Sequence, residues 1–262
     1  MKRLIKGIDV AYHKLTKEDY DNLWIIEGEE GIGKSNLGLW ALDYWCFLLG
    51  NKATKEDIRY ICPNMLLFVK ELSTIEKHKL IVYDEGGELS NLRIMDKFNY
   101  MLSRSYKKIR GFNLFTIIIL PSVFDLNPYF VRRARGLISV YKRGKFAYWG
   151  KEKLRTAIQL NQYYKRKSIW RVPPLFYDTF SKYDGILKEP YLERKKEDME
   201  NDLKNLYEEL FGDKSQKSLE NLRIIQRLVD KVGLEEASLI WGKDKRTLYR
   251  NLKKIRDIDS LT

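Results

Sequence analysis

Leu23-Trp-Ile-Ile-Glu27 is a short apolar run, and the eight residues after it, Gly28-Glu-Glu-Gly-Ile-Gly-Lys-Ser35, fit the spacing G-x-x-x-x-G-K-[ST]. A stretch from Lys34 to about Leu49 then stays apolar on most faces, so the whole reads as a buried strand, a loop and a buried helix. Glycines let backbone N–H groups turn inward around a phosphate, and the helix N-terminus adds the positive end of its dipole. Gly28, Glu29, Glu30, Gly31, Ile32, Gly33, Lys34, Ser35 and Asn36 are therefore the candidate cradle for ATP. In it Lys34 would reach the β- and γ-phosphates and the Ser35 hydroxyl would ligate Mg²⁺.

A second apolar run, Leu80-Ile-Val-Tyr, ends in Asp84-Glu85. A carboxylate at the C-terminal edge of a strand can hold Mg²⁺ through water, which makes Asp84 the metal candidate. Glu85, close to the metal but not on it, is placed to polarise a water for attack on the γ-phosphate. The adjacent acid favours a hydrolytic ATPase over a kinase or a switch GTPase.

Further apolar runs at Ile58 to Cys62 and Phe115 to Leu120 read as strands, with helical patterns around Asn64 to Leu72 and Ser90 to Lys108. Alternation of this kind implies an α/β domain with a parallel sheet flanked by helices. Leu137 to Tyr141 and Lys145 to Trp149, split by Lys142-Arg-Gly144, predict a hairpin or final strand pair at the sheet's edge, closing a first domain at 1–150. Residues 151–215 form a basic, aromatic extension and a charged helix, and 216–262 a separate small helical unit.

The charge balance, 49 − 36 = +13, is concentrated: thirteen Lys or Arg face one acid, Glu152, between Arg132 and Arg171. Tyr141, Phe146, Tyr148, Trp149, Tyr163, Tyr164 and Trp170 interleave with them. Such a segment is either a nucleic-acid surface or a solvated basic face with its aromatics in the core. At 44% hydrophobic residues the chain has material for a full core, which excludes a disordered or disulfide-stapled chain. Two cysteines, Cys46 and Cys62, point to a reducing cytoplasm, and no run is long and apolar enough to span a membrane.

From Asp84-Glu85-Gly-Gly, through Asn99, Leu102 and Arg104, to Ile109-Arg110-Gly-Phe-Asn113 and Phe115 to Leu120, the chain resembles the additional-strand, catalytic-glutamate class of P-loop ATPases. Within it the likeness is to the FtsK/HerA-like group, which includes the zonular occludens toxin-like proteins of phages and plasmids, and it covers about residues 20–141. The resemblance implies a RecA-like fold, assembly into a ring or filament as a homo-oligomer, and work on double-stranded DNA. It also implies a catalytic arginine acting in trans, for which Arg110 is the matching position. Arg104, Arg132, Arg133 and Arg135 are the other candidates. Pro121-Ser122 stands where that group commonly has a polar sensor such as Gln, and no membrane span of the filamentous-phage type is present.

Residues 237–252, Ala-Ser-Leu-Ile-Trp-Gly-Lys-Asp-Lys-Arg-Thr-Leu-Tyr-Arg-Asn-Leu, resemble a Fis-type helix-turn-helix. That likeness implies an all-α DNA-binding domain in which Asp244 caps the third helix. Lys245, Arg246, Thr247, Tyr249 and Arg250 would then meet the major groove and its phosphates. The expectation is a DNA motor for translocation, packaging or transfer. The alternatives are an ATP-switched sequence-specific DNA-binding regulator or replication initiator, and an assembly protein with an acidic partner.

Overall fold

The computed structural model describes residues 1–84 and 109–210; the expectations for Glu85, Arg104, the helix within 90–108 and the unit at 216–262, including Lys245, Arg246, Thr247, Tyr249 and Arg250, lie outside the described residues. The chain divides into two compact units, Met1–Lys196 and Glu197–Thr262.

The first unit is built on a seven-stranded sheet. Its strands are β1 (Asn22–Glu27), β2 (Ile61–Cys62), β3 (Leu80–Asp84), β4 (Phe115–Leu120), β5 (Gly136–Lys142), β6 (Lys145–Gly150) and β7 (Phe176–Thr179). They lie in the order β2-β3-β4-β1-β5-β6-β7. The first five of that row are parallel, and β6 and β7 are antiparallel additions. β4 is inserted between β1 and β3, as an additional strand must be, so the fold is that of a RecA-like P-loop NTPase. β1, β3 and β4 are buried at every residue, which only uninterrupted apolar strands covered on both faces sustain.

The helices are α1 (Lys2–Lys17), α2 (Lys34–Leu48), α3 (Met65–Thr74), α4 (Pro128–Arg133) and α5 (Lys151–Asn161), and α6 (Lys188–Leu210) begins in the first unit. α1 is an addition to the expected elements. Its Leu4, Ile8, Ala11 and Leu15 recur at helical spacing and are all buried. The Trp45 ring of α2 sits 5.5 Å from Tyr12 of α1 and 5.0 Å from Phe115 of β4, tying both helices to the sheet. Truncating a fully buried ring of this kind typically costs about 3–5 kcal/mol.

Two expectations change. The strand at Ile58 to Cys62 shrinks to Ile61–Cys62, because a 3₁₀ turn occupies Lys55–Tyr60. The Asp57 carboxylate accepts from the Thr54 backbone N–H (2.7 Å) and hydroxyl (2.8 Å), and this local cap competes with extended backbone. The hairpin does not end the sheet either, since β7 pairs with β6 from Tyr148↔Phe176 to Lys145↔Thr179. The loop before β7 is pinned by buried Asn161, whose Oδ1 accepts from the Ser168 N–H (2.7 Å) and Arg171 Nε (3.2 Å), and by Trp149 Nε1 donating to the Val172 carbonyl at 2.7 Å.

Candidate nucleotide site

The phosphate loop leaves the end of β1 and enters α2 at Gly33, the N-cap, with φ 98°. Gly28 has φ 146°, and a Cβ there would stand 2.5 Å from the Val140 carbonyl oxygen, so this first position tolerates no side chain. Its N–H donates to the Pro121 carbonyl at 3.2 Å, which anchors the loop to the end of β4. Lys34 folds back over the loop, its Nζ donating to the carbonyls of Gly28 (2.5 Å) and Glu29 (2.8 Å). Arg143, from the β5–β6 turn, donates to the Gly31 carbonyl at 3.0 Å. Two cations thus hold the loop where a phosphate would need them.

β3 carries Asp84 to the same edge, on the sheet face that bears α2. Ser35 Oγ donates to Asp84 Oδ1 at 3.1 Å, so the hydroxyl and the carboxylate predicted to share Mg²⁺ meet across 49 residues of sequence. Both are hard oxygen donors, the kind Mg²⁺ takes one or two of while keeping waters and phosphate oxygens for its remaining positions. No group of three or more His, Cys, Asp or Glu side chains suited to a metal occurs among the described residues, and Mg²⁺ needs none. The other oxygen, Asp84 Oδ2, accepts from the hydroxyl of Tyr191 on α6 at 2.8 Å.

The strap between β7 and α6 lies along α2. The Tyr183 N–H donates to Asn36 Oδ1 at 3.1 Å, its hydroxyl donates to Asp43 at 2.9 Å, and Trp40 Nε1 donates to the Ser181 carbonyl at 3.1 Å. Burial first, and then the Asp43 carboxylate, push the Tyr183 phenol above its ordinary range. Arg143, Tyr183 and Tyr191 escape a reading by motif, because nothing in the chain's pattern links them to residues 28–36 or 84.

Glu27 is the other missed residue. Read as the end of an apolar run, it is 6% exposed, and its Oε2 accepts from the Val123 N–H at 2.8 Å. Burial raises its pKa to about 7, against the opposing pull of the Val123 N–H and the Ser139 hydroxyl. It stands at one side of a cavity of about 460 Å³ between the phosphate loop and the exposed Tyr141, Lys167 and Trp170.

Of the candidate arginines, Arg110 lies in the turn Ile109–Phe112 that leads into β4. Arg133 is ion-paired with Asp21, and Arg135 stacks 5.3 Å from the Tyr20 ring, both at the N-terminal end of β5 and away from this chain's own phosphate loop. Ser122 caps a short turn by accepting from the Phe124 N–H at 3.3 Å. The basic segment's aromatics divide: Phe146 and Trp149 are core, whereas Tyr141, Tyr163, Tyr164 and Trp170 are exposed.

No protein-family model matches the chain, and no curated protein matches it either. Among solved structures, the genome packaging NTPase B204 from Sulfolobus turreted icosahedral virus 2 in complex with AMPPCP is similar at 13% identity. The match covers 52% of this chain and 95% of that one, with a TM-score of 0.37. The same NTPase with ATP-γS matches at 15% identity over 51% and 94%, again at 0.37. The E. coli MS115-1 HORMA:CdnC:Trip13 complex matches at 13% identity over 53% of this chain and 57% of that chain, at 0.35. At such values the likenesses bear no functional weight, and the chemistry follows from the residues above.

Proposed function

We propose that the protein is a Mg²⁺-dependent ATPase that uses hydrolysis to do work on double-stranded DNA, assembling as a ring or filament. The observation that carries the reading is the 3.1 Å contact of Ser35 with Asp84 beneath a glycine loop, with a strand inserted between β1 and β3. On nucleotide binding, Lys34 exchanges its two carbonyl partners for β- and γ-phosphate oxygens, and the loop N–H groups take the remaining charge. Ser35 and Asp84 would hold the Mg²⁺ that accompanies the nucleotide, and the ion would supply positive charge against the transferring phosphoryl group. Glu85 orients and deprotonates the attacking water, and Arg110 of a neighbouring copy stabilises the transition state.

The DNA side of the proposal is supported by Tyr141, Tyr163, Tyr164 and Trp170, exposed amid the thirteen cations of 132–171. The sequence of 216–262, with Lys245, Arg246, Thr247, Tyr249 and Arg250, supplies a tether to the duplex. Translocation, packaging or transfer of mobile-element DNA is the setting this combination suits. Among the described residues no helix is long and apolar enough to cross a membrane.

Steady-state ATP hydrolysis with and without duplex DNA at fixed salt tests the proposal. Stimulation of about tenfold or more that Glu85→Gln abolishes is the expected result. Slow turnover indifferent to DNA that is nonetheless bound would replace the motor with an ATP-switched regulator.

A further inference from the structure

At the N-terminal end of the parallel strands, opposite the phosphate loop, a cavity of about 480 Å³ opens between α1, β1 and β6. Pockets for small organic ligands run from about 300 to 1,000 Å³. The rim carries four cations, Arg3, Lys14, Arg135 and Lys151. Two carboxylates share it, but Asp21 is already neutralised by Arg133, and Glu18 lies 3.8 Å from His13. The excess is positive. Burial first, then the nearby Arg135 and Arg155, hold the Lys151 ammonium below its ordinary range, a strain that an anion would relieve.

The floor is aromatic and, among the described residues, includes one buried polar atom without a partner. Trp24 and Tyr148 lie 5.7 Å apart, and Tyr148 stacks on Phe176 at 4.9 Å. Burial raises the Tyr148 phenol to about 12. The ring reaches its place because residue 136 is glycine: a Cβ there would stand 2.5 Å from the Tyr148 hydroxyl. Asn22 is 7% exposed, and its Oδ1 is the one buried side-chain polar atom without a partner among the described residues. An orphaned buried acceptor costs about 1–3 kcal/mol, so its retention beside a cavity marks a place for a donor.

We infer that this cavity is a second binding site, for a nucleotide unit whose heterocycle lies on the Trp24–Tyr148 floor, gives an N–H to Asn22 Oδ1 and sets its phosphate among Lys14, Lys151, Arg3 and Arg135. Planarity, a donor edge and negative charge are the three properties the walls ask for together, and a nucleotide has all three. The unit comes either as a free nucleotide or as one residue of a single strand. The inference rests on the nucleotide- and DNA-handling reading only for this choice of ligand class.

The test uses the full chain carrying Lys34→Ala, which disables the phosphate loop, without magnesium. Fluorescent adenosine monophosphate and a short labelled single-stranded oligonucleotide are titrated separately. The same titrations are run after adding Lys14→Glu with Lys151→Glu, or Tyr148→Phe. Saturable binding of either probe is expected, weakened about tenfold or more by the charge reversals and about threefold by Tyr148→Phe, because the phenol at the cavity floor is placed to meet a polar atom of the ligand. Tyr148→Phe keeps the ring and its packing against Trp24 and Phe176, so the melting temperature should hold. Binding of the mononucleotide assigns the free ligand, and binding of the oligonucleotide alone assigns a strand. Failure of both probes to bind, or binding indifferent to these substitutions, overturns the inference. ATP hydrolysis without DNA by Lys14→Glu with Lys34 intact should stay within about twofold, and its absence in the unsubstituted chain would instead count against the ATPase.

Discussion

The two ends of the parallel strands are built on opposite principles. At the C-terminal end the polar groups are answered within the chain: Asp84 by Ser35 and Tyr191, Lys34 by Gly28 and Glu29, Glu27 by Val123. At the N-terminal end Asn22 Oδ1 has no partner among the described residues, and half-buried Tyr148 lies beside it under a rim of cations. A satisfied site is preorganised and must exchange internal contacts for its ligand, which suits a site that binds, reacts and releases. An unsatisfied one gains by being filled and suits a ligand that is held.

Substitutions at the first end should therefore separate chemistry from stability. Asp84→Asn leaves one oxygen to accept from Ser35 or Tyr191 and an amide N–H that the other hydroxyl can accept, but it removes the negative charge that would hold Mg²⁺; hydrolysis should fall about a hundredfold or more, while urea unfolding shows a shift of less than about 1 kcal/mol. A comparable loss of stability would mean that Asp84 is structural.

Glu27 gives the next largest effect, and its sign is distinctive. Burial lifts its folded pKa to about 7, above the ordinary 4.5 of a free glutamate, so the native state holds the proton more tightly than the unfolded chain. Stability is then greatest below about pH 4.5 and is lost as pH rises through about 7, by up to about 3 kcal/mol. Glu27→Gln should flatten that slope in denaturant titrations at pH 5 and pH 8. An unchanged slope would show that the carboxyl is already ionised.

Tyr191→Phe removes one hydrogen bond to a carboxylate, and about 1–2 kcal/mol of unfolding free energy should go with it. If Tyr191 also holds Asp84 in place, the Mg²⁺ concentration for half-maximal hydrolysis should rise severalfold. Arg143→Ala is the mildest. Its loop contact is exposed, so stability should change by about 0.5 kcal/mol or less, and the effect should appear in the KM for ATP.

The C-terminal end was also the more legible in sequence. Strand, glycine loop, helix and Asp84 follow from spacing, because phosphate binding demands a fixed local backbone, and β4 is found as expected at Phe115–Leu120 because a doubly covered strand is apolar throughout. β7 alternates between half-buried and exposed over only four residues, too short to register as a period. The run from Ile58 to Cys62 reads as strand on apolarity, and the cap made by Thr54 and Asp57 keeps its first three residues in a 3₁₀ turn. Tyr191 meets Asp84 from a charged helix 107 residues away, and such a contact exists only in three dimensions. The N-terminal cavity draws on α1, β1 and β6 in the same way, so none of it could be read along the chain.

The position of β1 also shapes how the protein is made. Asn22 pairs with Phe115 and Trp24 with Gly136, so β1 leaves the ribosome before either of its partners. Its two bare edges, on a six-residue strand with four apolar side chains, must wait until β4 and β5 have been synthesised. Pairings of such long range are slow to form and leave nascent chains prone to association. A chain truncated before Gly136 would retain that open edge, and it should be recovered from cells as aggregate rather than as a smaller folded domain.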